Sequence, residues 1–153
     1  MIKPCSYKHY GKIIARIQKE GFTIGNMKMA RFTKQNAAEF YAEHYGKSFF
    51  ENLINFMTSG YVLGIELIAD NSIKKWRALI GPTNSLKAKE EAPDSIRGMF
   101  GTDGTKNSVH GSDSIKSAQR ELTFFFGVNT KLARTAIFNN VSFCLIKPNI
   151  IKT

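Results

Sequence analysis

Strand-like runs and amphipathic helical stretches alternate along this chain in the order β-α-β-β-α-β. That order predicts an α/β (α+β) ferredoxin-like sandwich: an antiparallel four-stranded sheet with helices packed largely on one face. Three observations carry the prediction. Ile13, Ile14 and Ile17 recur at helical spacing. Tyr61–Leu67 is rich in β-formers. Residues 83–106 form a stretch too long to be a mere connection, and so predict a functional loop.

Each element follows from local signals. Met1-Ile2-Lys3-Pro4 reads as the tail of a strand stopped by Pro4. Gly11 to Glu20 is helical, with Gly21 as its stop. Ile24, Met27 and Met29 give Phe22–Phe32 enough alternation for a strand. Thr33 is placed to cap a helix through His44, and Ser48 to cap one that carries Phe49, Phe50, Leu53, Ile54 and Phe56. Asp70 is placed to cap a helix with Ile73, Trp76, Arg77 and Ile80, ended by Gly81-Pro82. Ser108–His110 is a short strand, and Ser112 to Phe126 the last helix, with Ser112 and Ser114 both good N-caps.

The chain has 153 residues, one domain's worth, and 42% hydrophobic content suffices for a core. No apolar run approaches the roughly eighteen residues of a membrane helix, and there is no signal-peptide pattern, so the expectation is a soluble, cytoplasmic protein without a membrane partner. Cys5 and Cys144 lack paired spacing, which points away from a disulfide framework or a zinc site. The net charge of +10 invites a nucleic-acid reading. Yet the basic residues are scattered, from Lys8 and Lys12 to Lys87 and Lys89, with no recognisable binding module. A positive field that attracts polyanionic nucleotides explains the charge equally well, and nucleic acid is the less favoured partner.

Asn107-Ser108-Val109-His110-Gly111-Ser112-Asp113-Ser114 is the most informative stretch. It sets a histidine just before an exposed helix N-terminus, where backbone N–H groups and the helix dipole favour phosphate. Glu121 follows about three turns later at the 3.6-residue repeat. It reaches the imidazole only if the chain ahead of the helix folds over it. A carboxylate on one ring nitrogen would fix the tautomer and leave the other nitrogen as a nucleophile. The sequence leaves open which nitrogen that is.

This run resembles the active-site signature of the nucleoside diphosphate kinases, an Asn, two variable residues and His-Gly-Ser-Asp around a phosphorylated histidine, and the likeness extends from Met1 to about Phe126. The resemblance implies ping-pong transfer of a γ-phosphate from a nucleoside triphosphate to a nucleoside diphosphate through phosphohistidine at His110. By the same resemblance Lys3, Arg77, Thr83 and Arg97 form a phosphate clamp. Phe49 stacks on the base with Leu53 on the same wall, Phe50 beside it being core. Tyr41 lies near the catalytic histidine, Asn107 contacts the sugar, and Ser112 and Glu121 orient His110. Gly104 stands where many members place a valine against the base. Mg²⁺ is implied by the substrate, held mainly through nucleotide phosphates rather than by an Asp/Glu cage. A homo-oligomer is implied, a hexamer favoured over a dimer or tetramer. His9 and His44 lack metal spacing and read as surface residues, while Gly98, Gly101 and Gly104 suit a flexible loop rather than a phosphate cradle.

The chain also departs from the family. Cys5 replaces an Asp after Lys-Pro, which predicts a looser turn behind Lys3, with Ser6 compensating in part. Lys47-Ser48 replaces Arg-Pro and loses a bidentate donor and a rigid helix entry. Ser85 to Glu91 lengthens the loop. Together these predict weaker nucleotide holding and a mobile lid. Residues 1–126 are then the kinase domain. Residues 127–153 read as a linker and an extension in which Ile146-Lys147-Pro148 repeats Ile2-Lys3-Pro4, like the first strand of a second kinase domain. In this the chain resembles the first domain of tandem-domain members associated with cilia and flagella, truncated soon after the second domain starts. That likeness implies a flagellar or ciliary setting. The alternative it carries is a weakly active or inactive kinase-fold structural component of the flagellar axoneme, open to association with microtubules. Because the first strand is short, two readings of residues 141–147 stand side by side: they add to the sheet of their own or a neighbouring subunit, or they form a disordered tail.

Overall fold

The computed structural model describes residues 1–127. Cys144 and both readings of residues 141–147 lie outside them. Strand β1 (Thr23–Arg31) pairs antiparallel with β2 (Tyr61–Ile68), from Thr23 opposite Ile68 to Arg31 opposite Tyr61, with a one-residue register shift between Ile24 and Asn26. On the other edge of β2, Ile2 and Leu63 exchange both backbone bonds, at 2.8 and 3.0 Å. Ile2 in turn bridges Val109, with Lys3 N–H donating to Ser108 O and His110 N–H to Met1 O, each at 2.8 Å. The spatial order is thus β1, β2, Ile2, Val109. Of the four strands expected, the described residues contain two, with single bridges in place of the others. Pro4 removes a donor and starts a 3-10 helix (Pro4–His9), so the N-terminal pairing stops where it begins.

Successive strand residues point to opposite faces, and β2 packs helices on both. Val62 joins Phe40, Tyr41, Phe50, Leu53, Met57 and Phe125 in one core. These come from or adjoin α2 (Lys34–Phe40), α3 (Phe50–Met57) and α7 (Ile115–Phe126). Leu63 joins Ile2, Ile13, Ile17, Trp76, Ile80, Ile96 and Val109 in the other core. Its helices are α1 (Tyr10–Lys19), α4 (Ser72–Ile80) and α6 (Ile96–Phe100). The expected helices on one face are therefore helices on two. The alternation of Val62 and Leu63, both apolar, dictates it.

The boundaries differ from expectation where caps do. Thr33 caps α2 with a capping box to Asn36, a feature that stabilises a helix by about 1 kcal/mol. The helix stops at Phe40, however, and continues only as a 3-10 turn, Ala42–His44. Neither Ser48 nor Asp70 caps its helix: the N-cap positions are Phe49 and Asn71, without side-chain bonds, and Asn71 takes a φ of 50°. The segment read as a loop holds α5 (Ser85–Glu91), whose Asn84 side chain accepts from Leu86 and Lys87 N–H, and α6, capped by Ser95. Gly98 and Gly101 are packing positions there, since a Cβ would meet Ala92 O at 2.6 Å and Ser85 Oγ at 2.0 Å. At Gly104 a Cβ would meet nothing.

Candidate active site

Backbone geometry presents His110. Val109 N–H donates to Asn107 O at 2.7 Å, closing a three-residue turn around Ser108, whose φ is 67°. A non-glycine residue held there costs on the order of 1–3 kcal/mol and persists because its surroundings over-determine it. Ser108 and Val109 are fully buried, and the bonds to Met1 and Lys3 pin the segment on both sides. Trp76 Nε1 donates to His110 O at 3.4 Å. A Cβ on Gly111 would lie 2.7 Å from the same indole, so only glycine lets the chain after the histidine lie on α4.

Helix α7 brings the carboxylate. Its N-cap is Ser114, in a capping box with Ser117, which frees Ser112 from the capping role expected of it. Phe125 lies against Gly64, where a Cβ would come within 2.4 Å of the ring, so this glycine sets the depth of the helix on the sheet. Glu121 Oε2 then accepts from Ser112 Oγ at 2.7 Å and sits 2.9 Å from His110 Nε2. Nε2 is buried, and this contact is close but lies off the line of a well-directed hydrogen bond. Burial holds the imidazole below its ordinary range, with the Glu121 carboxylate opposing the shift. Burial pushes Glu121 up, but His110 and Ser112 outweigh it and hold the carboxyl below its usual range. At neutral pH the pair is therefore a neutral imidazole beside a carboxylate. Tyr41 meets the imidazole edge to face, with ring centroids 5.8 Å apart, and Phe40 does so at 5.3 Å. The Tyr41 hydroxyl donates to Met57 Sδ at 3.8 Å, and burial pushes its pKa up, so it stays neutral.

Of the expected clamp residues, Lys3 and Arg97 bond to the stretch that leads into His110. Lys3 is 6% exposed, and its Nζ donates to Thr105 O at 3.2 Å. Burial, then Arg97, lowers its pKa to about 8. Arg97 donates to Gly81 O at 2.9 Å and to Val109 O at 3.2 Å, while its Nε is buried without a partner. Burial and the neighbouring Arg77 lower it to about 10, which still leaves it charged at neutral pH. Arg77 and Thr83 are exposed. Asn107 Nδ2 donates to Thr83 O and Gly104 O, both at 2.9 Å, and leaves its Oδ1 buried and unpartnered. One amide thus ties both ends of the 83–104 segment to the histidine strand.

The base-side residues separate. Phe49 is 44% exposed, whereas Leu53 is 6% exposed and belongs to the core with Phe50, not to an open wall. His44, expected on the surface, is half-buried: it stacks on Tyr41 at 6.0 Å and meets Phe49 at 5.6 Å, so it links the exposed ring to the neighbour of His110. His9 is half-buried too, stacked on Phe100 at 4.9 Å. Cys5 is half-buried, and Ser6 beside it is fully buried with its N–H on Lys3 O at 3.0 Å, which closes the turn. Sequence reasoning missed Trp76, Ser108 and Arg120 as parts of the site. A tryptophan at an apolar helix position and an arginine on an exposed face gave no local signal.

A cleft of about 850 Å³ opens behind the His110–Glu121 pair, between β2, α4 and α7. None of Lys3, Arg77, Thr83, Arg97 or Asn107 lines it. Among the described residues no three His, Cys, Asp or Glu come together as a metal cage. No described helix is long and apolar enough to cross a membrane.

Residues 1–130 match the family model described as nucleoside diphosphate kinase. The chain is 43% identical over 153 residues to rat (Rattus norvegicus) nucleoside diphosphate kinase homolog 7, which covers 99% of this chain and 39% of that protein. It thus spans about two-fifths of that relative's length. It is 49% identical over 116 residues to the nucleoside diphosphate kinase of Aquifex aeolicus, covering 76% of this chain and 82% of that one. A crystal structure of an Aquifex aeolicus nucleoside diphosphate kinase superposes with a TM-score of 0.79 at 46% identity, covering 82% of this chain and 90% of the other.

Proposed function

We propose, starting from the fact that the chain belongs to the nucleoside diphosphate kinase family, that it moves a γ-phosphate between nucleotides by a ping-pong mechanism through phosphohistidine at His110. The observation that carries this reading is the seating of the histidine: Nε2 faces Glu121 at 2.9 Å, and Glu121 is itself held by Ser112 at 2.7 Å. On this reading Nδ1 is the attacking atom. Its lone pair forms the N–P bond as the bond from the γ-phosphorus to the bridging oxygen breaks, and the nucleoside diphosphate leaves with that electron pair. Glu121 stabilises the positive charge that develops on the ring. A second diphosphate's terminal oxygen then attacks the phosphorus, and the N–P electrons return to the imidazole.

Lys3, Arg77 and Arg97 supply positive charge for the phosphates, and little else is needed, because such transfer is mostly positioning and electrostatics. Phe49 offers a base-tolerant face. Magnesium bound to the nucleotide would neutralise phosphate charge. The reading includes self-association: Met27 and Met29, 52% and 46% exposed, lie on β1, whose outer edge is unpaired among the described residues.

The test is incubation with γ-labelled ATP and magnesium beside His110→Asn. Acid-labile, alkali-stable label on the unsubstituted protein alone, chased onto added GDP, supports the relay. Well-folded protein that takes no label would overturn it and favour a structural role for the kinase fold.

A further inference from the structure

Arg120 stands between two carboxylates. Its Nη1 donates to Phe40 O at 2.9 Å, which anchors the guanidinium near the Phe40 ring. Its Nη2 lies 3.6 Å from Glu121 Oε1 and 3.9 Å from Glu43 Oε2. The remaining oxygens reach two imidazoles: Glu43 Oε1 is 3.9 Å from His44 Nε2, and Glu121 Oε2 is 2.9 Å from His110 Nε2. His44, Glu43, Arg120, Glu121 and His110 therefore form one row of charges and rings. Tyr41 closes it into a loop, stacked on His44 and edge to face with His110.

We propose that Arg120 is a positioning residue that sets how strongly Glu121 holds the His110 ring, by dividing its guanidinium between Glu121 and Glu43. The carboxylate of Glu121 favours positive charge on the imidazole, and a cation on the same carboxylate competes for that effect. When Glu43 draws Arg120 toward itself, Glu121 acts more fully on His110. When Glu43 lets go, Glu121 is neutralised by Arg120 and the ring becomes less basic. Glu43 belongs to the 3-10 turn Ala42–His44, and His44 touches Phe49. A nucleotide base on Phe49 would thus be felt at the nucleophile through this turn. That consequence rests on the phosphotransfer reading; the charge row does not.

The other charged groups acting on His110 are Lys3 and the Met1 amine, on the N-terminal segment, and both oppose its protonation. Neither touches Arg120 in the contacts above, so substitutions in the row leave them as a constant background. Arg120 and Glu43 side chains are 42% and 47% exposed, so solvent screens the effect and it is modest.

The experiment is an NMR titration of the His110 imidazole in the full chain, for the unsubstituted protein, Arg120→Gln, Glu43→Gln and Arg120→Lys. Removing the arginine should raise the His110 midpoint by about 0.3 pH unit, and removing Glu43 should lower it by a similar amount. Arg120→Lys should stay near the unsubstituted value, and the displacements should shrink in high salt. Opposite signs cannot come from partial unfolding, which would move both variants toward the free imidazole. Displacements of the same sign, or none, would overturn the proposal. If the displacements are opposite but no phosphohistidine forms in the labelling test, the kinase reading falls and the charge coupling stands.

Discussion

The two sides of the candidate site are built differently. On the nucleophile side, Glu121 and Asn107 are buried, Ser108 is locked in a left-handed turn, and backbone bonds to Met1 and Lys3 hold the segment. On the side proposed to receive the nucleotide, Phe49, Arg77, Thr83 and Gly104 are exposed, and a Cβ at Gly104 would touch nothing. The contrast teaches where preorganisation lies: in the groups that must be aimed before chemistry, not in those that a flexible triphosphate can gather on arrival. Lys3 and Arg97 stand on the border, buried yet charged, bonded to the backbone carbonyls of Thr105, Gly81 and Val109.

Substitutions should break the two sides differently. His110→Asn should abolish transfer, by about 10⁴-fold or more in kcat, with little change in thermal stability. Glu121→Gln should lower kcat by roughly 10²-fold with KM nearly unchanged, since it strikes only the aimed side. Gly64→Ala forces the Phe125 ring off the sheet and should destabilise by about 1–3 kcal/mol in denaturant unfolding. It should drag kcat down with it because Glu121 rides on the same helix. Phe49→Ala should raise nucleotide KM by about 10-fold, the worth of one stacked base, and leave kcat close to its starting value. The smallest effect is on pH. Lys3 is charged below about 8, so nucleotide affinity should be full there and decline as pH rises through that value. His110, held below the ordinary imidazole range, should keep its nucleophilic form into mildly acidic solution, and kcat should fall only as pH drops through that depressed value. A pH series of kcat and KM would read both limbs.

Much of this was legible in the residues because the signals were local. The His110 motif and the Ser114–Ser117 start of α7 place Glu121 at a set distance along one helix, and the run of β-formers in β2 marks the sheet's centre. The misses share one cause. Asn84 and Ser95 cap two short helices inside the stretch read as a loop, because their caps look like loop residues until a helix forms beside them. The turn behind Lys3 is closed by Ser6 despite Cys5. The position of Arg120 depends on Glu43 and Phe40, far away in sequence, and no single-chain pattern reveals it.

The most direct test of the central claim is the chemical identity of the phosphorylated residue. Phosphoprotein formed with ATP and magnesium would be isolated under alkaline conditions and its phosphorus NMR signal compared with authentic phosphohistidine isomers. The seating of Nε2 against Glu121 predicts phosphate on Nδ1 of His110. Phosphate on Nε2, or on a serine such as Ser112, would contradict it.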